Sequence, residues 1–586
     1  MPDNQVYENF QNWTFFLQEV SSLQDLVAKS YPFELNEQNF SLIPFTKFDL
    51  SSENSLQLLG NWRKDNEFAY PTRSLITTDG TSKWLENAVL NNENRLLFWI
   101  VDSSLSRLGH IGVVSYPMEN RFEIDNVLRG IPSENPGLMA AALSKLEAIM
   151  EEEFSIEEIF LRVLESNVHA VDFYLAHGYS ECAREELSWE YTATGSRLVP
   201  GNTKDDSFIT MKKNFLESIA YIPGPILTAG PSISALENAY VADAVRNGWN
   251  AHHSDYLLRF EKEFAEYVGA RYAMATSSCT GALHLSLLAL GIGPGDEVIV
   301  PDITWVATAS AVRYVGAKPV FVDVLPDSWT LDPQELKASI TQNTKAIIPV
   351  HLYGYGARMP EIMAIAHEFN LKVVEDAAPA IGTQIHKKFA GTFGDFGCFS
   401  FQGAKLLVTG EGGMVVTDDP ILYAKIKKIQ DHGRKPGTFW IEELGFKYKM
   451  NNLTAALGLA QIQRAQNQID RKRRINSWYQ EGLRDIPGVS FQVEDRDTKS
   501  ICWMSSFTLG QECKVDRDGL IAALKLNGID SRPVFPSISQ YKIWGYAPQV
   551  PHNSKLIGDS GINLPSGVLL NFRTVEKVIE TIRKTL

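Results

Sequence analysis

Between Tyr272 and Asp376 five short apolar runs, YAMA, EVIVP, PVFVD, KAIIPV and KVVED, alternate with stretches of helical periodicity. This alternation constrains the fold more than any other feature. Strands joined through helices pair in parallel, because the crossover returns the chain to the same end of the sheet. Continuous apolar runs are expected where helices cover both faces of such a sheet. The pattern therefore predicts an α/β unit with a mostly parallel sheet. The stretch ALHLSLLALG, Ala282 to Gly291, is apolar on nearly every side and is predicted to be a buried helix. Ligands of open α/β sheets bind beyond the carboxyl ends of the strands, so chemistry is sought there.

At 586 residues the chain exceeds a single domain. We expect a lead-in over 1–39, a first α/β domain over 40–214, a linker over 215–224 opening a Pro/Gly-rich stretch, a large domain over 225–470 and a small α/β domain over 471–586. In the first domain LLFWIVD (Leu96 to Asp102) and LGHIGVVSY (Leu108 to Tyr116) read as neighbours in a meander. A helix follows from Leu138 to about Glu152, with Leu138, Ala142, Leu146, Ile149 and Met150 on one face, then a strand from Ile159 to Leu164.

A formal net charge of −15 argues against nucleic acid as a bulk partner and requires a local basic cluster for any anionic substrate. The five cysteines are scattered, with no CxxC pair and no metal-ligand spacing, which suits a reducing cytosol and predicts no metal. No signal peptide or spanning run is apparent, so a cytoplasmic protein without a membrane partner is expected. The basic run Arg471 to Arg474 is expected on a solvated helix face.

Four features gather at the predicted strand ends. Asp376 closes one strand. Lys405 follows in FSFQGAKLLVTGEGG, five residues after Ser400. TSSCTGALHL puts Ser278, Cys279 and Thr280 at a helix start, where free amides and the helix dipole favour a phosphate; a plain Ser/Thr cap reads equally well. Trp305, in PDITWVATA, is placed to stack on a flat ring or to fill the core. Together they offer an amine, a carboxylate, phosphate donors and a ring partner. That set suits pyridoxal 5′-phosphate: Lys405 for a Schiff base with its aldehyde, Asp376 to keep its ring nitrogen protonated.

Residues 222–586 resemble the DegT-type sugar aminotransferases, of fold-type I among pyridoxal phosphate enzymes. The resemblance rests on GPGDEVIVPDITWVATA, PVHLYG, VVEDAA, GDFGCFSFQGAK, TGEGG and GFKYKMNNLTAALGLAQ. It implies amino transfer, usually from glutamate, to a keto group on a nucleotide-linked sugar. Lys405 would be both the cofactor-bonding lysine and the base. A homodimer with shared sites is also implied. The chain departs from the family pattern at Cys279, where Gly is usual, at Pro379 after EDAA, and at Lys447, where the partner-contributed Asn is usual and a lysine could meet a phosphate. Arg434, Lys435, Lys449 and Arg532 are candidates for the sugar diphosphate.

Residues 40–214 resemble the GNAT family of acyl-CoA N-acetyltransferases, through LRVLESNVHAVDFYLAHGY (Leu161 to Tyr179) and FEIDNVLRG (Phe122 to Gly130). The resemblance implies acetyl-CoA as co-substrate, with its pyrophosphate on the loop SENPGLM. There Gly137 matches the family pattern, and Glu134 and Met139 do not. Asn167 falls at the family's conserved-type position, Tyr174 at that of the acid, and Glu123 or Asp125 is the candidate base. Tyr174 could instead pack its helix, and the two carboxylates could form a solvated edge. An aminotransferase makes an amino sugar and an N-acetyltransferase consumes one. The adjacency implies a bifunctional enzyme of acylated amino sugars.

Overall fold

The computed structural model describes residues 4–586 except 19, 21–25, 28, 37, 120, 131–136, 155, 157, 193–194, 202, 204, 215–224 and 436. The chain forms two compact units, Met1–Ala220 with Ser234–Ala239, and Tyr221–Ile233 with Tyr240–Leu586. The expected linker over 215–224 lies outside the described residues.

The first unit is built on a ten-stranded sheet: β1 (Tyr31–Leu35), β2 (Gln38–Pro44), β3 (Thr72–Ser74), β4 (Arg95–Asp102), β5 (Arg107–Tyr116), β6 (Arg121–Arg129), β7 (Glu158–Leu164), β8 (Ser180–Thr192), β9 (Gly195–Pro200) and β10 (Asp206–Asn214). Their order is β1-β2-β4-β5-β6-β7-β10-β8-β9-β3. The strands β4, β5 and β6 form a meander, with Leu97 opposite Gly112 and Val113 opposite Ile124. Neighbours are antiparallel except β6 and β7, which pair in parallel at Glu123–Phe160 and Ile124–Leu161. Helices α1 (Asn4–Gln18), α2 (Glu53–Asp65), α3 (Leu138–Phe154) and α4 (Val168–Ala176) cover the sheet's elements. The predicted apolar face of α3, from Leu138 to Met150, is buried in one cluster with Phe98, Ile111 and Phe122. Each such Leu or Ile stabilises the fold by about 1.5–3 kcal/mol.

Within the expected lead-in over 1–39, the described helix α1 and strand β1 pack with this sheet. Tyr7, Phe10 and Leu17 of α1 are buried in that same cluster, and β1 extends the sheet. The Phe10 ring lies 5.3 Å from Phe122 and 5.5 Å from Phe154. Tyr7, Phe10 and Leu17 recur at helical spacing, so one face of α1 is apolar and must be covered.

The second unit holds a seven-stranded sheet of β11 (Tyr272–Thr276), β12 (Glu297–Pro301), β13 (Lys318–Val322), β14 (Thr344–Ile347), β15 (Lys372–Asp376), β16 (Phe396–Ser400) and β17 (Gly413–Thr417). Its order is β11-β17-β16-β15-β14-β12-β13. The five predicted runs are β11 to β15. The alternation did not mark β16 and β17, because the segment joining them contains no helix. A short return of that kind forces antiparallel pairing, and β17 runs antiparallel between β11 and β16. The helix α5 (Cys279–Ala289) is buried along its apolar length, and α6 (Ala307–Tyr314) follows β12.

A smaller four-stranded sheet, β18 (Val489–Phe491), β19 (Ser506–Leu509), β20 (Arg532–Pro533) and β21 (Gly561–Asn563), lies toward the C-terminus. Helix α7 (Ala465–Leu483) runs unbroken through the expected boundary at 470/471. Its basic run is not a solvated face. Arg471 and Lys472 are 7% and 3% exposed. Lys472 Nζ donates to the carbonyls of Trp503, at 2.8 Å, and Ser566. Arg471 donates to the Leu570 carbonyl at 3.1 Å and Arg473 to that of Ser500 at 2.7 Å. Irregular segments beside α7 present carbonyls with no ladder partner, and the N–H groups of these side chains satisfy them.

Candidate functional site

Asp376 ends β15 at the carboxyl edge of the sheet and is 5% exposed. Its Oδ2 accepts from Thr308 Oγ1 at 2.7 Å, and its Oδ1 from the Ala378 N–H at 3.1 Å. Burial pushes its pKa up, while these hydrogen bonds and the charge of Lys405 oppose the rise. Thr308 was not singled out from sequence, although it lies on α6 three residues after Trp305. His351 was missed as well. It is fully buried, its Nδ1 accepts from the Ala357 N–H at 3.1 Å, and so its ring proton sits on Nε2, 3.1 Å from Glu375 Oε2.

Lys405 occupies the turn between β16 and β17, with its backbone N–H on the Gln402 carbonyl at 2.8 Å. It is half-buried, and its Nζ lies 3.8 Å from the centroid of the Trp503 ring. Desolvation of the amine pulls its pKa down to about 8 against the opposing pull of Asp376 and Cys279. Lys405, Asp376 and Cys279 thus lie within electrostatic reach of one another.

The Ser278 hydroxyl caps α5, accepting from the Gly281 N–H at 3.1 Å. The amides of Cys279 and Thr280 then have no intrahelical acceptor and are available to an anion. Gly413 of β17 closes on this helix start, and a Cβ there would lie 2.5 Å from the Cys279 nitrogen, so only glycine fits. The Cys279 thiol is buried and held protonated. Ser400 is 6% exposed at the end of β16, its Oγ accepting from the Gln402 N–H at 3.4 Å. Trp305 is 60% exposed, its ring 5.7 Å from that of Phe535, so it is not a core residue.

A buried carboxylate, an amine with lowered proton affinity and a glycine-backed helix start fit pyridoxal phosphate. Asp376 would meet its ring nitrogen, Lys405 its aldehyde and the Cys279–Thr280 amides its phosphate. Lys447, expected in the site of a partner chain, is ion-paired within its own. Its Nζ is paired with Asp431 at 3.0 Å, and Arg434 shares the same carboxylate. Arg532 lies 3.7 Å from Asp530, and Lys449 donates to Ser254 Oγ at 3.5 Å. Lys435 hydrogen-bonds through its backbone N–H to the Trp440 carbonyl.

In the first unit a cavity of about 660 Å³ opens beside β6 and β7 and brings Glu123, Asp125, Asn167 and Tyr174 together. Glu123 is buried, not a solvated edge, and it is not a free base. Arg121 Nη2 lies 2.6 Å from its Oε1 and Arg162 Nε 3.2 Å from its Oε2. Asp125 is paired with Arg95 at 2.9 Å. Asn167 caps α4 through the Ala170 N–H at 3.3 Å. Burial pushes the Tyr174 hydroxyl's pKa up, which keeps it a neutral donor. Gly137 precedes α3 with φ +91°, a conformation that favours glycine. The part of its loop before Gly137, with Glu134, lies outside the described residues, and Leu138 and Met139 open α3.

The model of the DegT/DnrJ/EryC1/StrS aminotransferase family matches residues 231–583. The GDP-perosamine synthase of Caulobacter vibrioides is 38% identical over 366 residues, 62% of this chain and 98% of that protein. The UDP-N-acetyl-3-dehydro-alpha-D-glucosamine 3-aminotransferase of Acidithiobacillus ferrooxidans is 38% identical over 329 residues, 56% of this chain and 87% of that protein. Among solved structures, DesI in the presence of its TDP-sugar product superposes with a TM-score of 0.58 at 31% identity, over 63% of this chain and 95% of that one. Residues before 231 lie outside the family match. Through its second unit, the chain belongs to the DegT/DnrJ/EryC1/StrS aminotransferase family.

Proposed function

We propose that the second unit transfers an amino group from glutamate to the keto carbon of a nucleotide-linked sugar, and that the first unit N-acetylates the amine with acetyl-CoA. The observation that carries the proposal is the juxtaposition of Asp376, Lys405 and the α5 N-terminus. The names of the relatives, a GDP-sugar and a UDP-sugar enzyme among them, support the substrate class. Bound there, pyridoxal phosphate supplies an electron sink. The protein's part is electrostatic and acid–base. Asp376, held by Thr308 and Ala378, keeps a negative charge for the ring nitrogen. Lys405, with its proton affinity lowered by burial, is free to take a proton from the substrate carbon and return it. Homodimer formation is supported by Phe439 and Leu444, 94% and 90% exposed on the segment before Lys447.

For the first unit, the support is the GNAT-like stretch Leu161 to Tyr179, the parallel pair β6–β7, one of its kind among the described strands of that sheet, and the cavity beside it. Tyr174 would protonate the leaving thiolate. The amine must attack in its neutral form, and the proton it then releases would pass through water toward Asp125, the carboxylate with the one arginine partner, rather than Glu123. The arginines on both carboxylates favour a second reading, in which this unit binds a ligand without catalysis.

The test incubates the full-length protein with pyridoxal phosphate, glutamate and a panel of keto-sugar nucleotides, then adds acetyl-CoA. The proposal predicts 2-oxoglutarate with an accepted sugar and free thiol only afterwards. Oxoglutarate without thiol supports the second reading. Neither product from any keto sugar would overturn the proposal.

A further inference from the structure

Trp503 lies in the segment ICWMSS ahead of β19 and is 5% exposed. Its ring lies under the Lys405 amine, at 3.8 Å from centroid to Nζ. Every polar atom of the residue is used. Its backbone N–H donates to the Tyr353 carbonyl at 2.8 Å, and its carbonyl accepts from Lys472 at 2.8 Å. The indole N–H donates to the Ala404 carbonyl at 2.9 Å, so it grips the peptide unit that carries Lys405. The backbone around it is held against its preference. Cys502 (φ 52°) and Tyr353 (φ 54°) are buried non-glycine residues in the left-handed region. Such conformations persist where the surroundings over-determine them, and they gather at functional sites.

We infer that Trp503 is a positioning residue for Lys405: its indole face holds the amine in place and favours the ammonium form over the free amine. The other groups facing that amine are the Asp376 carboxylate at the end of β15 and the Cys279 thiol at the start of α5. Lys472 meets Trp503 at its carbonyl, and the Cys502 thiol lies beside Tyr355 and Lys472. Asp376 works in the same direction as the indole, and burial works against both. The result is an amine that can give up its proton yet hold one it has taken. The inference rests on Lys405 being the reactive lysine, but its readout needs neither cofactor nor turnover, so a failed amino-transfer assay leaves it testable.

The experiment labels the full-length, cofactor-stripped protein with trace acetic anhydride over a series of pH values. Mass spectrometry then follows the peptide containing Lys405. The wild-type midpoint is expected near 8. In Trp503→Leu it falls by about one unit, and in Trp503→Phe, which keeps a weaker face, by about 0.3 unit. Circular dichroism and thermal unfolding establish that each variant folds. A purely structural role would lower the melting temperature and leave the midpoint in place. A folded Trp503→Leu with an unchanged or raised midpoint overturns the inference. If Trp503→Leu does not fold, Trp503→Phe decides, and an unchanged midpoint there overturns it.

Discussion

At the scale of single side chains, the site depends on Asp376 keeping its charge in a dry place. Burial raises its pKa, so falling pH protonates it earlier than an exposed carboxylate. Thr308 opposes this by donating to the charged form. Thr308→Val should therefore move the acid limb of the pH–rate profile to higher pH and lower kcat/KM by about tenfold or more. An unmoved limb would show that Thr308 does not set that charge. Asp376→Asn should lose about 100-fold or more in kcat, as expected for removing one preorganised charge from a buried site. Asp376 and Ser278 could be located because each sits at a strand end or helix start, and Lys405 because it follows Ser400 in the turn after β16. Thr308 and Trp503 could not, since their roles arise from contacts between distant segments. The pairing of Glu123 was partly legible: Arg121 and Glu123 are two apart on a strand and share a face. Arg162 arrives from β7, a strand the sequence marked without showing that it pairs beside β6.

At the scale of elements, α7 shows how a pattern can mislead. Four consecutive basic residues read as a solvated face, yet Lys472 is buried and bonded to two carbonyls. Burial lowers its pKa to about 7. With the folded pKa below the unfolded one, the native state binds fewer protons between about 7 and 10.5, so its contribution to stability grows as pH rises through that window. Lys472→Met should cost about 2 kcal/mol at pH 8, from two orphaned carbonyls, and more toward pH 10. Urea unfolding at the two pH values checks both sign and size. A loss below about 0.5 kcal/mol at both would return the residue to the solvated class. The strands β11 to β15 were legible because helices separate them. The strands β16 and β17 were not, because the loop carrying Lys405 replaces the crossover and the period fails where the site is built.

At the scale of the molecule, the α/β class of the second unit was legible from alternation. The packing of α1 was not, since it shows only an apolar stripe and the sheet that covers it is formed by residues far along the chain. The exposure of Phe439 and Leu444 predicts association. Phe439→Asp combined with Leu444→Asp should reduce the sedimenting mass from two chains to one, and an unaltered mass would place the contact elsewhere. The central claim is that Lys405 and Asp376 form an aminotransferase site. It is tested most directly by the visible absorbance of the full-length protein reconstituted with pyridoxal phosphate, before and after glutamate, beside Lys405→Ala. The account predicts a bound-cofactor band that changes on adding glutamate in the wild type, with both the band and the response lost in the variant. A wild type that takes up no cofactor, or a Lys405→Ala protein with the same band and the same response, would contradict it.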